Sequence, residues 1–192
     1  MTHFLTLTFR RHRLAIMLLA CGLPLLNGCG IRTLAPNISQ LAVPEAVRVP
    51  EGQQAVLDAQ GKGNLLYECQ AIKRSPFQYS WLLQSSGLKL EDTRGQNITY
   101  YPGARARWVH SDGSAVTARE FVEVSANSQN LPLLRAAAET STGPGILDKV
   151  SYIQNLRTVG GIVASPLCTA GNLGMRVSVP YESQFVFWRP VS

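Results

Sequence analysis

Histidine is nearly absent. Of three in the 192-residue chain, His3 and His12 fall in an N-terminal leader, and His110 alone lies beyond it. No Cys-x-x-Cys pair occurs either, so the chain falls short of the four nitrogen or sulfur ligands that a structural zinc takes. No metal and no cofactor is expected. Charge is sparse, at 16% of residues. The basic side chains Arg48, Lys62, Lys73, Arg74, Lys89, Arg94, Arg105, Arg107 and Arg119 are scattered and never form a run of five, which argues against nucleic acid as a partner. No Gly-x-Gly-x-x-Gly turn links a strand to a helix, which argues against a dinucleotide fold. No apolar run reaches the roughly 20 residues of a membrane-spanning helix. Internal repeats and low-complexity tracts are missing as well.

The leader is the most legible part of the chain. Arg10, Arg11 and Arg13 precede an uncharged apolar run from Leu14 to Leu26 that contains Gly22 and Pro24. Leu26-Asn27-Gly28-Cys29 follows and matches a bacterial lipobox, in which the chain is cut before the cysteine and the sulfur takes a diacylglycerol. Leu18-Leu19-Ala20-Cys21 is a second candidate. Cutting there would leave Gly22-Leu23-Pro24-Leu25-Leu26 as an exposed apolar stub, so Cys29 is preferred. The expected division is a signal peptide over 1–28, a flexible tether over 29–46 carrying Pro36 and Pro44, and a β-rich domain over 47–192. Loss of three arginines with the leader halves the formal net charge of +6. Both candidate cysteines are followed by glycine and not aspartate, which points to the outer membrane of a bacterial cell envelope. The expected partners are the membrane, through the lipid, and an unidentified small ligand or envelope partner.

Of the four cysteines, Cys69 and Cys168 remain once Cys21 is cut away and Cys29 is acylated. An exported chain meets an oxidising compartment, where an even pair forms a disulfide.

Beyond Pro50-Glu51-Gly52 the chain reads as short strands with turn punctuation. Gln54 to Asp58 is a strand, ended by Gln60-Gly61-Lys62-Gly63. Asn64 to Ile72 is another, with Leu65, Tyr67 and Cys69 on one face. Tyr79 to Leu83, Leu88 to Glu91, Asn97 to Tyr101, Ala106 to His110, Ala115 to Thr117 and Glu120 to Ser125 follow, then Val150 to Leu156, Gly174 to Val179 and Tyr181 to Phe187. Asp112-Gly113 is a strong hairpin signal, because both residues tolerate positive φ. One helix is expected, with Asn130 as cap, Pro132 in the first turn and Leu133 to Glu139 as its body. The expected fold is mainly β, an antiparallel sandwich or barrel with one short α-helix.

Tyr67-x-Cys69, Trp81-x-Leu83, Trp108-x-x-x-Asp112-Gly113-Ser114, Val150-x-Tyr152-Ile153-Gln154, Thr158-x-Gly160-Gly161, Cys168 and the ending from Val179-Pro180-Tyr181 to Phe187 follow one another in a definite order. In that order they resemble a family of exported domains of unknown function from bacteria and fungi, over about residues 43 to 189. The malate-dehydrogenase-like label borne by some fungal members finds no support in these residues. Family members show a His-Tyr-x-Gly-Pro-x-Trp stretch where this chain has Thr99 to Trp108 without a histidine. Any chemistry that the family's histidine performs is therefore missing here.

Candidate chemistry is thin. A nucleophilic hydrolase would have to use His110 with Ser111, Asp112 or Ser114, yet neighbours on a tight hairpin point to opposite faces. A hairpin turn closed by Asp112 is the preferred reading. Carboxylate pairs for glycoside work could come from Glu68, Glu91, Asp92, Glu120 and Glu123. No catalytic residue is assigned. Tyr100, Tyr101, Arg105, Arg107 and Trp108 form the candidate ligand patch, since consecutive tyrosines cannot both face inward on a strand. The preferred function is a lipid-anchored, non-catalytic binding or structural module. An envelope hydrolase with carboxylates not identifiable from sequence is the alternative.

Overall fold

The computed structural model describes residues 36–75 and 77–191. The leader, Cys21 and Cys29 lie outside them. Nine strands run β1 Gln53–Ala71, β2 Tyr79–Ser86, β3 Lys89–Asp92, β4 Asn97–Tyr101, β5 Ala106–His110, β6 Ala115–Val124, β7 Leu133–Thr142, β8 Tyr152–Gly160 and β9 Arg176–Pro190. All pairing is antiparallel: β1 and β3 to β9 each pair with the next of that series, β9 returns to pair with β1 and closes an eight-strand ring, and β2 pairs with the extension of β1 beside it. Closure leaves β1 paired on both edges, so that within the ring no strand offers an open edge, while β2 keeps one edge unpaired among the described residues. Of the two expected architectures, the chain adopts the barrel.

Two sequence expectations at the start of the sheet are corrected by β1. Gln60-Gly61-Lys62-Gly63 is not a turn, and the two strands either side are one, because β1 is zipped to β9 from Gln53 to Glu68, straight across these residues. Its glycines serve close approach. A Cβ on Gly63 would sit 2.3 Å from the Gly87 carbonyl oxygen, so β2 and β3 can kink past β1 only where side chains are missing.

The expected helix is also corrected. Leu133 to Glu139 belongs to β7, paired with β6 from Val124 to Ala115 and with β8 from Asn155 to Tyr152. Local helix propensity differs by less than about 1 kcal/mol per residue, and two flanking ladders plus a buried face outweigh it. Ala136 is fully buried there and suits a sheet position facing a crowded core. Among the described residues, helical structure is confined to 3-10 turns at Glu45–Val47 and Ala170–Asn172.

The barrel interior is filled from alternate positions of each strand. Leu57, Ala59, Leu90, Ile98, Trp108, Val116, Ile153, Phe185 and Phe187 form the main core. Eight strands' width leaves room for little beyond side chains. Trp108 stands at the centre, stacked on Tyr100 at 5.1 Å between ring centroids, and edge-on to Phe187 at 6.1 Å.

A second cluster lies outside the barrel, where Val186 and Trp188 of β9 and Leu156 of β8 meet Val43 and Val47. The described part of the proline-bearing tether is thus docked over this face. Gln154 Nε2 donates to the Val47 carbonyl at 2.6 Å and to Gln40 Oε1 at 3.0 Å, and Arg135 donates to the Arg48 carbonyl at 2.6 Å. The docking has a plain cause: without the segment, Trp188, Val186 and Leu156 would face water.

The two ends of the barrel differ. The end bearing the 93–96, 111–114 and 143–151 connections is packed by Leu147 and Val150. At the other end β1, β2 and β9 run on, and the 161–175 loop folds across them. Cys69 and Cys168 are joined there by a disulfide, as the compartment argument expects (Cα–Cα 5.3 Å).

Candidate functional site

At the packed end, the hairpin that carries His110, Asp112 and Ser114 is a lock and not a catalytic constellation. Asp112 Oδ1 accepts the Ser114 amide at 2.8 Å and the Ser114 hydroxyl at 2.6 Å, while Oδ2 accepts the Ile146 amide at 2.8 Å. Ser114 Oγ in turn accepts the Leu147 amide at 3.1 Å, and the residue is fully buried. A serine whose proton is committed to a carboxylate, and which no substrate can touch, is not a nucleophile. His110 Nδ1 lies 3.1 Å from Asp112 Oδ1 and 3.2 Å from the Asp112 amide nitrogen. Its Nε2 lies 3.7 Å from Asp92 Oδ2, too long for a hydrogen bond, and stays unpartnered. Asp92 spends Oδ1 on the Arg94 and Gln96 amides, both at 2.8 Å.

Burial alone would raise the Asp112 pKa, but the Ser114 hydroxyl, the Ile146 and Ser114 amides and His110 together hold it well below the usual carboxylate range. A depressed carboxyl contributes stability that is full above its unfolded pKa, about 4, and is lost as pH falls through the lower folded value. Thermal melts of the wild type should therefore drop steadily below about pH 4, with a weaker drop for Asp112→Asn. At neutral pH the variant should lose about 1.5–3 kcal/mol, the usual worth of hydrogen bonds to a charged group. Equal acid sensitivity in both proteins would contradict the lock.

The remaining candidate carboxylates do not converge. Glu68 pairs with Arg176 at 2.8 Å. Glu91 and Glu120 are exposed on strand exteriors. Glu123 alone of the set borders a recess. Among the described residues, no three His, Cys, Asp or Glu side chains sit as metal ligands would.

The candidate patch is split by the pleat. Tyr100 and Trp108, which face each other across β4 and β5, point into the barrel, whereas Tyr101 and Arg107 are the next pair and point out. Arg105 is engaged with Glu139. These five residues form no single surface. The alternation argument for Tyr100-Tyr101 holds: Tyr101 is 54% exposed and its neighbour is packed on the core.

What the fold does assemble is a recess at the barrel mouth. A cavity of about 160 Å³ is lined by Leu65, Leu88, Tyr100, Asn155, Tyr181 and Phe185, among others, with Glu123 on its border. Asn155 is 7% exposed. Its Nδ2 donates to the Tyr181 hydroxyl at 2.7 Å, and its Oδ1 has no partner. Swapping the amide's two ends would only exchange the unpaired acceptor for an unpaired donor. Ser183 Oγ, also buried, faces the Tyr181 phenol without a hydrogen bond of normal geometry. Buried polar atoms of this kind are few in folded proteins, and two of them, Asn155 Oδ1 and Ser183 Oγ, lie near the same phenol.

The phenols at the mouth are neutral. Burial pushes the Tyr100 phenol up to about 12, with Tyr181 beside it adding to the effect. Burial also raises Tyr181, against the opposing influence of the Asn155 hydrogen bond and the nearby Ser183 hydroxyl. Tyr67 is raised by burial and by its proximity to Tyr181. All three phenols keep their protons at any physiological pH.

A second, larger recess of about 480 Å³ adjoins the first, and Leu131 borders both. The inner face of β1 and β2 lies under both recesses, because the register pairs Leu65 with Ser86, Tyr67 with Leu83, Cys69 with Trp81 and Ala71 with Tyr79. Ile162, Val163, Leu167 and Cys168 of the 161–175 loop form the opposite wall. The loop is set by two glycines at positive φ, Gly160 (+72°) and Gly161 (+88°). A Cβ on Gly160 would come within 2.5 Å of the Pro180 carbonyl oxygen. Tyr67 donates its hydroxyl to the Gly161 carbonyl at 2.7 Å, and Trp81 Nε1 donates to the Pro166 carbonyl at 3.0 Å. The motif fragments Tyr67-x-Cys69, Trp81, Gly160-Gly161, Cys168 and Tyr181 thus meet around one end of the barrel.

Asn155 escaped the sequence reading. A signal for it exists: Gln154-Asn155 are adjacent amides within an apolar strand, and alternation forces one of any two neighbours to face inward.

Comparison with known proteins gives one family. Residues 50–189 match the family described as Protein of unknown function (DUF3455). No curated protein and no solved structure matches the chain.

Proposed function

The chain belongs to the DUF3455 family of proteins of unknown function, and on that footing we propose that it is a non-catalytic binding module that holds a small molecule at the mouth of its barrel. The observation that carries this reading is the unpaired Asn155 carboxamide oxygen, on a residue that lines a walled recess. A buried amide left without a partner costs about 1–3 kcal/mol, and a ligand that pairs with it recovers that cost on binding. The hydrolase alternative gains little. Glu123 is the single acid of the candidate set beside the recess, whereas glycoside hydrolysis needs two carboxyls flanking one bond. Ligand identification by mass spectrometry, on protein taken from its native membrane, should find one co-purifying small molecule in the wild type and less of it in Asn155→Leu. No enriched molecule in either would end the reading.

The same proposal places the module in the bacterial cell envelope, held by acylated Cys29 with the barrel outside the cytoplasm. The lipobox and the disulfide support it, since such bonds persist in oxidising compartments. Cys29→Ser should release the domain from membranes or block its processing, as read by fractionation and intact mass. Unchanged anchoring and unchanged processing would show that the attachment site is wrong.

A further inference from the structure

Resting on the binding reading above, we infer that the ligand is an uncharged amphiphile. Its ring or chain lies in the recess between the β1–β2 face and the 161–175 loop, and one hydrogen-bonding group reaches Asn155 at the barrel mouth. Three observations select this class.

The first is the absence of charge. The residues lining the larger recess are Tyr67, Tyr79, Trp81, Leu131, Ile162 and Leu167 with small neighbours, and none is ionisable at neutral pH. The smaller recess adds one ionisable group of that kind, the exposed Glu123. An anion would find no cation there and one like charge. A ligand cation would have only the solvated Glu123, a partner worth little in high dielectric.

The second is the kind of polar group present. A sugar carries a hydroxyl on nearly every ring carbon and needs several amide or carboxylate partners. The larger recess has hydroxyls and backbone groups as polar partners; its Gly161 carbonyl is already taken by Tyr67, and its Trp81 indole N–H is spent on the Pro166 carbonyl. An apolar body leaves no polar atom stranded against Ile162, Val163 and Leu167.

The third is the polar end. Tyr100, Tyr181 and Tyr67 keep their protons, and Asn155 offers a free amide edge. One donor on the ligand satisfies Asn155 Oδ1 and completes the mouth. The shared wall at Leu131 lets a single molecule lie in both recesses.

Three naphthalenes test the class, because they share one ring system: 2-naphthol has a donor, naphthalene has none, and 2-naphthoate is charged. Binding is read on the full-length protein from its own NMR signals, the Trp81 indole N–H and the Asn155 side-chain amide, which partition into detergent cannot mimic. We expect 2-naphthol to bind tightest, naphthalene about tenfold more weakly for want of one hydrogen bond, and 2-naphthoate weakest. Asn155→Leu should bring naphthol down to naphthalene. Trp81→Ala, followed at the Asn155 amide, should weaken both alike. Naphthoate binding as tightly as naphthol overturns the neutral class. Binding that leaves both reporter signals in place overturns the site. A co-purifying anionic molecule that maps to Asn155 also overturns the class, yet leaves the binding reading standing. A wild type with no co-purifying molecule and no naphthol response overturns both.

Discussion

Removing the Cys69–Cys168 bond should cost the domain about 4–5 kcal/mol, the chain-entropy value for a closed loop of this size. The bond spans 99 positions, from the end of β1 to the 161–175 loop, so it cross-links most of the sheet in the unfolded chain. At roughly 2–4 °C per kcal/mol for a domain of this size, the melting temperature should fall by about 10–20 °C. The folded state has other means of holding the loop. The Gly174 amide donates to the Cys69 carbonyl at 2.9 Å, the Cys69 amide to the Met175 carbonyl at 2.9 Å, and Trp81 to Pro166. The native fold should therefore survive reduction at low temperature while its margin shrinks. The clean variant is the double replacement by alanine. Cys69 is fully buried, and serine there would add a polar group that alanine does not. Urea denaturation of wild type and double variant gives the difference in stability. Hydrogen exchange at Gly174 and Met175 reports whether the loop frays first. Equal midpoints would mean that the unfolded chain is already compact enough for the cross-link to matter little.

The loop's second role ties this result to binding. Cys168 and its neighbours wall the larger recess, so a frayed loop opens it. Reduced protein that remains folded should bind 2-naphthol more weakly than oxidised protein. Added reductant and the double variant should then agree.

How far the sequence foretold this molecule depends on how local each feature is. Asn97–Tyr101 and Ala106–His110 were readable to the residue, because alternation and the Asp112-Gly113 turn are local facts. The Gly113 φ of +89° is what that dipeptide promises. The disulfide followed from compartment and count. Non-local features were misread. Leu133 to Glu139 looks helical in isolation and becomes a strand because β6 and β8 offer it two ladders. Gly61 and Gly63 look like a turn until β2 and β3 cross over them. The recess was the least legible of all. Leu65, Asn155 and Tyr181 converge only after β9 has closed the ring on β1 and β8, and no window of sequence contains all three.

Trp108→Ala should be the most damaging core substitution, at about 3–5 kcal/mol. The indole is fully buried and touches Tyr100, Phe185 and Phe187 through one aromatic cluster. Its loss removes both the burial and the stacking, and rigid barrel walls cannot collapse into the void. Trp108→Phe should be far milder, within about 1.5 kcal/mol, because it keeps a ring and also discards the unpaired indole N–H that the native core tolerates. Tyr101→Ala and Arg107→Ala, from the outward half of the same strand pair, should each stay within about 0.5 kcal/mol, as exposed positions do. This contrast separates core from patch. A binding patch would lose ligand in all three variants at similar stability, whereas a pleated wall loses stability in one and nothing in the other two. The alanine variant should also gain an apolar hollow below Tyr100. A hollow of that kind stays dry and takes up benzene or xenon, so partial restabilisation by benzene would locate the missing indole inside the barrel. A Trp108→Ala protein as stable as the wild type would put the ring outside, and the register between β4 and β5 would have to be redrawn.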